Sequence, residues 1–227
     1  MSKISIVKIS WHGHACISIE NLGKILVIDP HDGYSLGIKR PEIKADYILI
    51  THDHFDHNAS NVVAKKDSKI FKMKEGVFEA DPFKILGVKT FHDKERGRRR
   101  GLNIAYKITT SGGLDIFHGG DLGHIPDEEM LRKIGEVDIV VLPVGGTFTI
   151  DHSEALEIFS MMKGKIFIPI HYWIKGINLP LAPIDSFVKE AERRGLEIIR
   201  SESNTLEIED NKNVVSGLKR ALILRYI

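Results

Sequence analysis

The chain has 227 residues, 42% of them hydrophobic and 28% charged, a balance that belongs to globular proteins and excludes disorder as a description of the whole. Lys and Arg number 32 against 31 Asp and Glu, so there is no global field to gather nucleic acid or an acidic membrane. No apolar run reaches the roughly 18 residues of a spanning helix, and the start alternates too strictly for a signal peptide. The expectation is a soluble, cytoplasmic protein with no membrane partner.

In chain order, β-branched runs at residues 3–9, 15–20, 24–28 and 47–50, punctuated by Gly, Pro, Asn and Asp, predict strands. The single cysteine, Cys16, falls in the second run between Ala15 and Ile17, which makes it a buried strand residue with no internal disulfide partner. Helical periodicity follows at residues 55–65. Strands resume at 83–91 and 103–109, and a Ser111-Gly112-Gly113 hairpin turn leads into 114–117. Residues 127–134 read as helix, 137–142 as strand, 153–162 as helix, 166–170 as strand, and 183–194 as a helix opening on Pro183 and closing on Gly195. Leu218, Ala221, Leu222 and Arg225 stand at helical spacing, so residues 214–227 predict a packed last helix, with an oligomer contact as the other reading. Strands grouped early and alternating with helices later predict stacked sheets with helices on the outer faces, without a linker. Glutamine is absent while Ile, Lys and Glu are abundant, a bias in the direction of hyperthermophiles.

Thr51-His52-Asp53-His54-Phe55-Asp56-His57 concentrates three imidazoles and two carboxylates. The pattern His-x-His-x-Asp-His arises by chance in roughly one of 600 chains of this composition. An extended backbone leaving the strand at 47–50 points His52 and His54 to one side, where they can share a metal, while Asp56 and His57 at the following turn face elsewhere. Two neighbouring metals suit that geometry better than one. Asp29, His92, Asp121 and His171 each stand where another predicted strand ends, the place at which layered α/β folds gather polar groups around a ligand.

At these residues the chain resembles the metallo-β-lactamase superfamily, over about residues 3–210. The segments Ser10-Trp11-His12-Gly13-His14-Ala15, Phe117-His118-Gly119-Gly120-Asp121, Leu142-Pro143-Val144-Gly145-Gly146 and Ile168-Pro169-Ile170-His171-Tyr172 are similar to the small metal-dependent hydrolases related to ascorbate-6-phosphate lactonase. The resemblance implies an αββα sandwich, two stacked mixed sheets with helices outside, forming one hydrolase domain over residues 1–210. Residues 211–227 then form a segment packed as a helix or strand of the same domain. It also implies His52, His54 and His92 on one metal, Asp56, His57 and His171 on a second, and Asp121 bridging both. Asp29 and His14 would orient metal-bound imidazoles, and His118 would either do the same or act as acid and base. Asn58-Ala59 after His57 departs from the glycine common in the family.

Imidazoles with hard carboxylates suit two divalent cations, zinc first and Mn or Fe next. Such a pair lowers the pKa of bound water to roughly 7 and polarises a carbonyl or phosphoryl oxygen, so Asp56 and Asp121 join the catalytic set. The expected reaction is hydrolysis of an ester, lactone or phosphoester. Oxygen-reducing diiron chemistry generally shows Glu where His54 stands. The alternatives are a phosphodiesterase or nuclease acting on RNA or DNA, which the balanced charge disfavours, and a metal-binding module without turnover. Residues 94–100 pack five cations and one anion two residues after His92, which makes Arg98, Arg99 and Arg100 candidates to grip an anionic small-molecule substrate. Asp151 and His152, which also depart from the family pattern, are further substrate-contact candidates, with a helix N-cap as the other reading.

Overall fold

The computed structural model describes residues 5–227. Alternating apolar and polar residues build β1 (Ile6–Trp11), β2 (Ile17–Asn21) and β3 (Lys24–Ile28) into an antiparallel meander. To it β4 (Ala45–Ile50) and β5 (Ala64–Lys72) add in parallel. With β13 (Thr205–Glu209) antiparallel to β1, these strands make a six-stranded mixed sheet. The second sheet starts antiparallel with β6 (Gly76–Ala80), β7 (Phe83–Phe91), β8 (Leu102–Thr109) and β9 (Asp115–His118). It continues in parallel through β10 (Ile139–Pro143), β11 (Ile166–Ile170), β14 (Arg220–Ile223) and β12 (Glu197–Arg200), in that spatial order.

Side-chain alternation then decides the layering. Leu26 and Ile28 of β3 join the large core shared with Ile104, Ile116 and Phe117 of the second sheet. Val27 and Ile48 point the other way, into a small cluster with Cys16 and with Val63 of α1 (Ser60–Val63). On the second sheet, Phe159 of α3 (His152–Met161) and Phe187 of α4 (Asp185–Arg193) stack on Phe167 of β11, at ring separations of 5.4 and 4.9 Å. The remaining helix, α2 (Glu128–Ile134), is capped by Asp127, whose carboxylate accepts from the Met130 N–H. Helices therefore cover the outer faces of two mixed sheets, the expected four-layer sandwich. Among the described residues, no helix is long and apolar enough to cross a membrane.

Two expectations change. The helix read at 55–65 shrinks to the single turn of α1, because Asp56 and His57 are spent in the preceding loop and residues 64–72 pair with β4 as an edge strand. The helix read at 214–227 is a 3-10 turn (Lys212–Val215) followed by β14, which pairs with both β11 and β12.

The 3-10 turn is tied to the second sheet by charge. Lys212 Nζ donates to Asp115 Oδ2 at 2.7 Å, Thr109 Oγ1 donates to Asp115 Oδ1 at 2.6 Å, and Lys107 Nζ lies 3.4 Å away. Burial pushes the Asp115 carboxyl up, but the Lys212 and Thr109 bonds and the Lys107 charge outweigh it and hold the group below its usual range. A carboxylate depressed in the folded state stabilises above its unfolded value, about 3.9, and loses that stabilisation as pH falls through the folded value. Asp115→Asn is expected to cost about 1–3 kcal/mol at pH 7. Urea unfolding at pH 7 and pH 3 should show the difference shrinking at the lower pH.

Candidate metal centre

Each candidate ligand leaves the end of a strand: Asp29 follows β3, His52 follows β4, His92 follows β7, Asp121 follows β9 and His171 follows β11. Asp29 and His171 hold left-handed backbone, at φ 49° and 52°, and so does His14, at 51°. Such strain persists only where surrounding contacts over-determine it, and it gathers at functional sites.

Asp121 Oδ2 is the focus. It lies 3.1 Å from His92 Nε2, 3.3 Å from His171 Nε2, 3.4 Å from His57 Nε2 and 3.9 Å from His52 Nε2. On one side, donor atoms of His52, His54 and His92 lie within 4.8 Å of one another; on the other, so do those of His14, Asp56, His57 and His171. All of these residues are buried except His54, which is half-buried. The structure thus brings together the seven residues expected to bind metal, adds His14 beside Asp56, His57 and His171, and sets Asp121 Oδ2 close to imidazoles of both groups.

The protons are placed by the backbone. Asp29, fully buried, accepts from the Thr51 N–H at 2.8 Å, from Thr51 Oγ1 at 2.6 Å and from His57 Nδ1 at 3.1 Å. Because Thr51 Oγ1 donates to Asp29, it accepts from His52 Nδ1, at 2.9 Å. Those bonds fix the Nδ1–H tautomer of both histidines and turn their Nε2 atoms toward Asp121. Asp29 itself, though near His52 and His57, has both oxygens occupied and acts as the orienting group.

Electrostatics follow from burial and crowding. Burial first, then neighbouring histidine charge, pushes His14 and His52 down to about 3. Burial works against the Asp56 and Asp121 carboxylates too, yet the surrounding histidines hold both below the usual range, Asp121 strongly. His57, despite its burial, is pulled well above the imidazole range by Asp121 and Asp56. Among the described residues His52 Nε2 and Asp121 Oδ1 have no hydrogen-bond partner. Convergent imidazole nitrogens around buried carboxylates, with donor atoms that lack a hydrogen-bond partner, fit divalent cations.

Other expected residues fall elsewhere. His118 is fully buried, its Nε2–H donates to the Ala15 carbonyl at 3.0 Å, and its Nδ1 accepts from the Gly120 N–H at 3.0 Å. With both nitrogens held by backbone it has none left for acid–base work, and it pins the loop carrying His14. Asp151 caps α3, accepting from Ser153 and Glu154 while the Glu154 side chain accepts from the Asp151 N–H. That capping box matches the other reading of Asp151, a helix N-cap, and His152 is the first helical residue. Cys16 is buried under the first sheet with its thiol pushed up by burial, which removes it as a nucleophile.

A groove of about 380 Å³ opens beside His92, lined by Lys94, Arg99, Arg100, Thr147, Phe148 and Thr149 among others. The loop at its wall is folded around Asp93, whose carboxylate accepts the backbone N–H groups of Glu95, Gly97, Arg99 and Arg100. Arg100 stacks on the Phe148 ring at 4.4 Å, while Lys94 pairs with Glu154 and Arg99 with Glu95. Arg98 is outside this lining. Sequence reasoning missed Phe148, which only the folded loops bring to Arg100.

A family model described as a beta-lactamase superfamily domain matches residues 8–171. A UPF0173 metal-dependent hydrolase of Thermoplasma volcanium is 34% identical over 189 residues, covering 73% of this chain and 83% of the relative. Another, from Nanoarchaeum equitans, is 31% identical over 219 residues, covering 85% and 95%. Among solved structures, a candidate Zn-dependent hydrolase of the metallo-β-lactamase superfamily from Thermotoga maritima superimposes with a TM-score of 0.76 at 31% identity, covering 97% of this chain and all of that one. Together with the two-sheet sandwich and the histidine cluster at its strand ends, these matches mean that the chain belongs to the metallo-β-lactamase superfamily, among its metal-dependent hydrolases.

Proposed function

We propose that this chain is a two-metal hydrolase of a small anionic ester, lactone or phosphoester. The observation that carries the reading is the single oxygen, Asp121 Oδ2, standing between two groups of donors. His52, His54 and His92 would hold one cation and Asp56, His57 and His171 the other, with zinc favoured and Mn or Fe compatible. Two divalent cations so held supply Lewis acidity and a water acidified to a pKa of about 7. The protein's part is to orient the imidazoles through Asp29 and Thr51, to exclude bulk water around Asp121, and to receive the substrate in the groove beside His92.

Arg100 supports the anionic substrate. Its guanidinium lies over the Phe148 ring and, among the described residues, has no carboxylate partner, so it is free to meet a phosphate or carboxylate. Neutralising Arg98, Arg99 and Arg100 together is expected to raise KM for an anionic substrate about tenfold, to flatten its salt dependence and to leave metal content intact. Unchanged KM at low salt would make the loop a solvated surface and remove the case for an anionic substrate.

The reading as a whole is tested by screening metal-loaded protein against lactones, thioesters, phosphoesters and lactams. Metal-dependent turnover of an anionic member of the set is the expected result. Two bound cations with no turnover of any class would favour the metal-binding module instead.

A further inference from the structure

We propose that His14 is itself a metal ligand, so that the position built from Asp56, His57 and His171 has five protein donors, counting Asp121, against four at the position of His52, His54 and His92. This rests on the two-metal reading. His14 Nε2 lies 3.0 Å from Asp56 Oδ2 and 3.2 Å from His57 Nε2, and its ring packs on His171 at 4.2 Å. Ligand atoms sharing one cation at about 2.0–2.1 Å stand roughly 3–3.5 Å apart, which is the spacing seen here. A residue that merely buttressed Asp56 from outside would touch the carboxylate oxygen turned away from the other donors. His14 instead meets Oδ2, the oxygen that also faces His57 Nε2 at 3.5 Å. Its ring nitrogen lies 3.2 Å from a second ligand nitrogen, only slightly farther than the 3.0 Å to that carboxylate.

The loop is built to aim this ring. Gly13 takes φ +91°, and a Cβ there would stand 2.7 Å from Cε2 of the Tyr226 ring packed over it. His14 follows in left-handed backbone. Its carbonyl accepts from the Trp11 indole N–H and from the His171 N–H, each at 3.0 Å, and the next carbonyl, Ala15, accepts from His118. Four groups from four parts of the chain thus hold the His14 backbone in a costly conformation whose product is a nitrogen among metal donors.

The consequence is an asymmetric pair. Five protein donors fill most of a coordination sphere and favour a cation that accepts five or six ligands. The four-donor position, whose His54 is the half-buried ligand, keeps room for water and substrate.

Metal-free protein would be titrated with Mn(II) and with Co(II) by calorimetry under chelator competition, for wild type, His14→Ala and His14→Gln. In both variants one of two equivalents is expected to weaken by more than about 100-fold, beyond the usual effect of an outer hydrogen bond, while the other stays within about threefold. Gln keeps an N–H for Asp56 but offers no imidazole nitrogen, so it should not rescue. Full rescue by Gln, or two unchanged equivalents in both variants, would reduce His14 to a buttress of Asp56. If neither variant folds, the cobalt-loaded wild type decides, by its paramagnetically shifted imidazole N–H resonances: a sixth one, owed to His14, supports the proposal, and its absence overturns it. A wild type that takes up only one equivalent would instead overturn the two-metal reading itself.

Discussion

Asp121→Ala is expected to cost both cations and at least about a thousandfold of the hydrolytic rate, more than 4 kcal/mol of transition-state stabilisation. The reason is positional. Among the described residues its Oδ2 is the one carboxylate oxygen within 4 Å of imidazoles from both donor groups, from His92 at 3.1 Å to His52 at 3.9 Å. Without it the centre keeps the Asp56 carboxylate on one side only, and no carboxylate oxygen is left between the two groups of imidazoles to offset the charge of two divalent cations. His171→Ala, by contrast, should empty only one position and leave about one equivalent bound. Metal analysis of the two purified variants checks the pair, and two full equivalents in both would remove Asp121 from the bridging place.

The second large effect belongs to Asp29. Asp29→Ala is expected to destabilise the fold by about 3–5 kcal/mol, because it strands the Thr51 N–H, the Thr51 hydroxyl and the His57 ring N–H in a fully buried place. It should also weaken metal binding about 10- to 100-fold, since the carboxylate sets the tautomers of His57 directly and of His52 through Thr51. Thermal unfolding of the metal-free protein reads the first effect and chelator competition the second. Lowered stability with unchanged metal affinity would show that Asp29 supports the sheet ends without orienting the ligands.

Much of this centre was legible in the sequence because its residues sit where the chain has little freedom. His52 to His57 are nearly consecutive, Asp29, His92 and His171 directly follow runs that read as strands, and Asp121 follows another after two glycines. What stayed hidden was set by tertiary contact. The strand at 64–72 carries four lysines on a sheet edge, the kind of charge that keeps edges from pairing further, and so it does not read as a strand. The last strand is short, and its burial comes from neighbours at 166–167 and 197–200 that no local period announces. His14 was visible as a candidate, but its direction depends on Trp11, His118, His171 and Tyr226. His118 misled because a buried histidine that ties two backbone segments together has the same local sequence as one that moves protons.

The placement of β14 inside the second sheet has a consequence for how the molecule is made. Every proposed metal-binding residue lies at or before position 171, yet the strand beside β11, which carries His171, comes from residues 220–223, and Ile6 pairs with Glu209 across almost the whole chain. During synthesis the histidines leave the ribosome on a scaffold that still lacks an interior strand of one sheet and an edge strand of the other. Contacts so distant along the chain make for slow folding, since loop closure must precede the pairing that rewards it. The centre is therefore completed late, from the far end of the chain, and cations that reach the nascent polypeptide meet separate imidazoles before they meet a site.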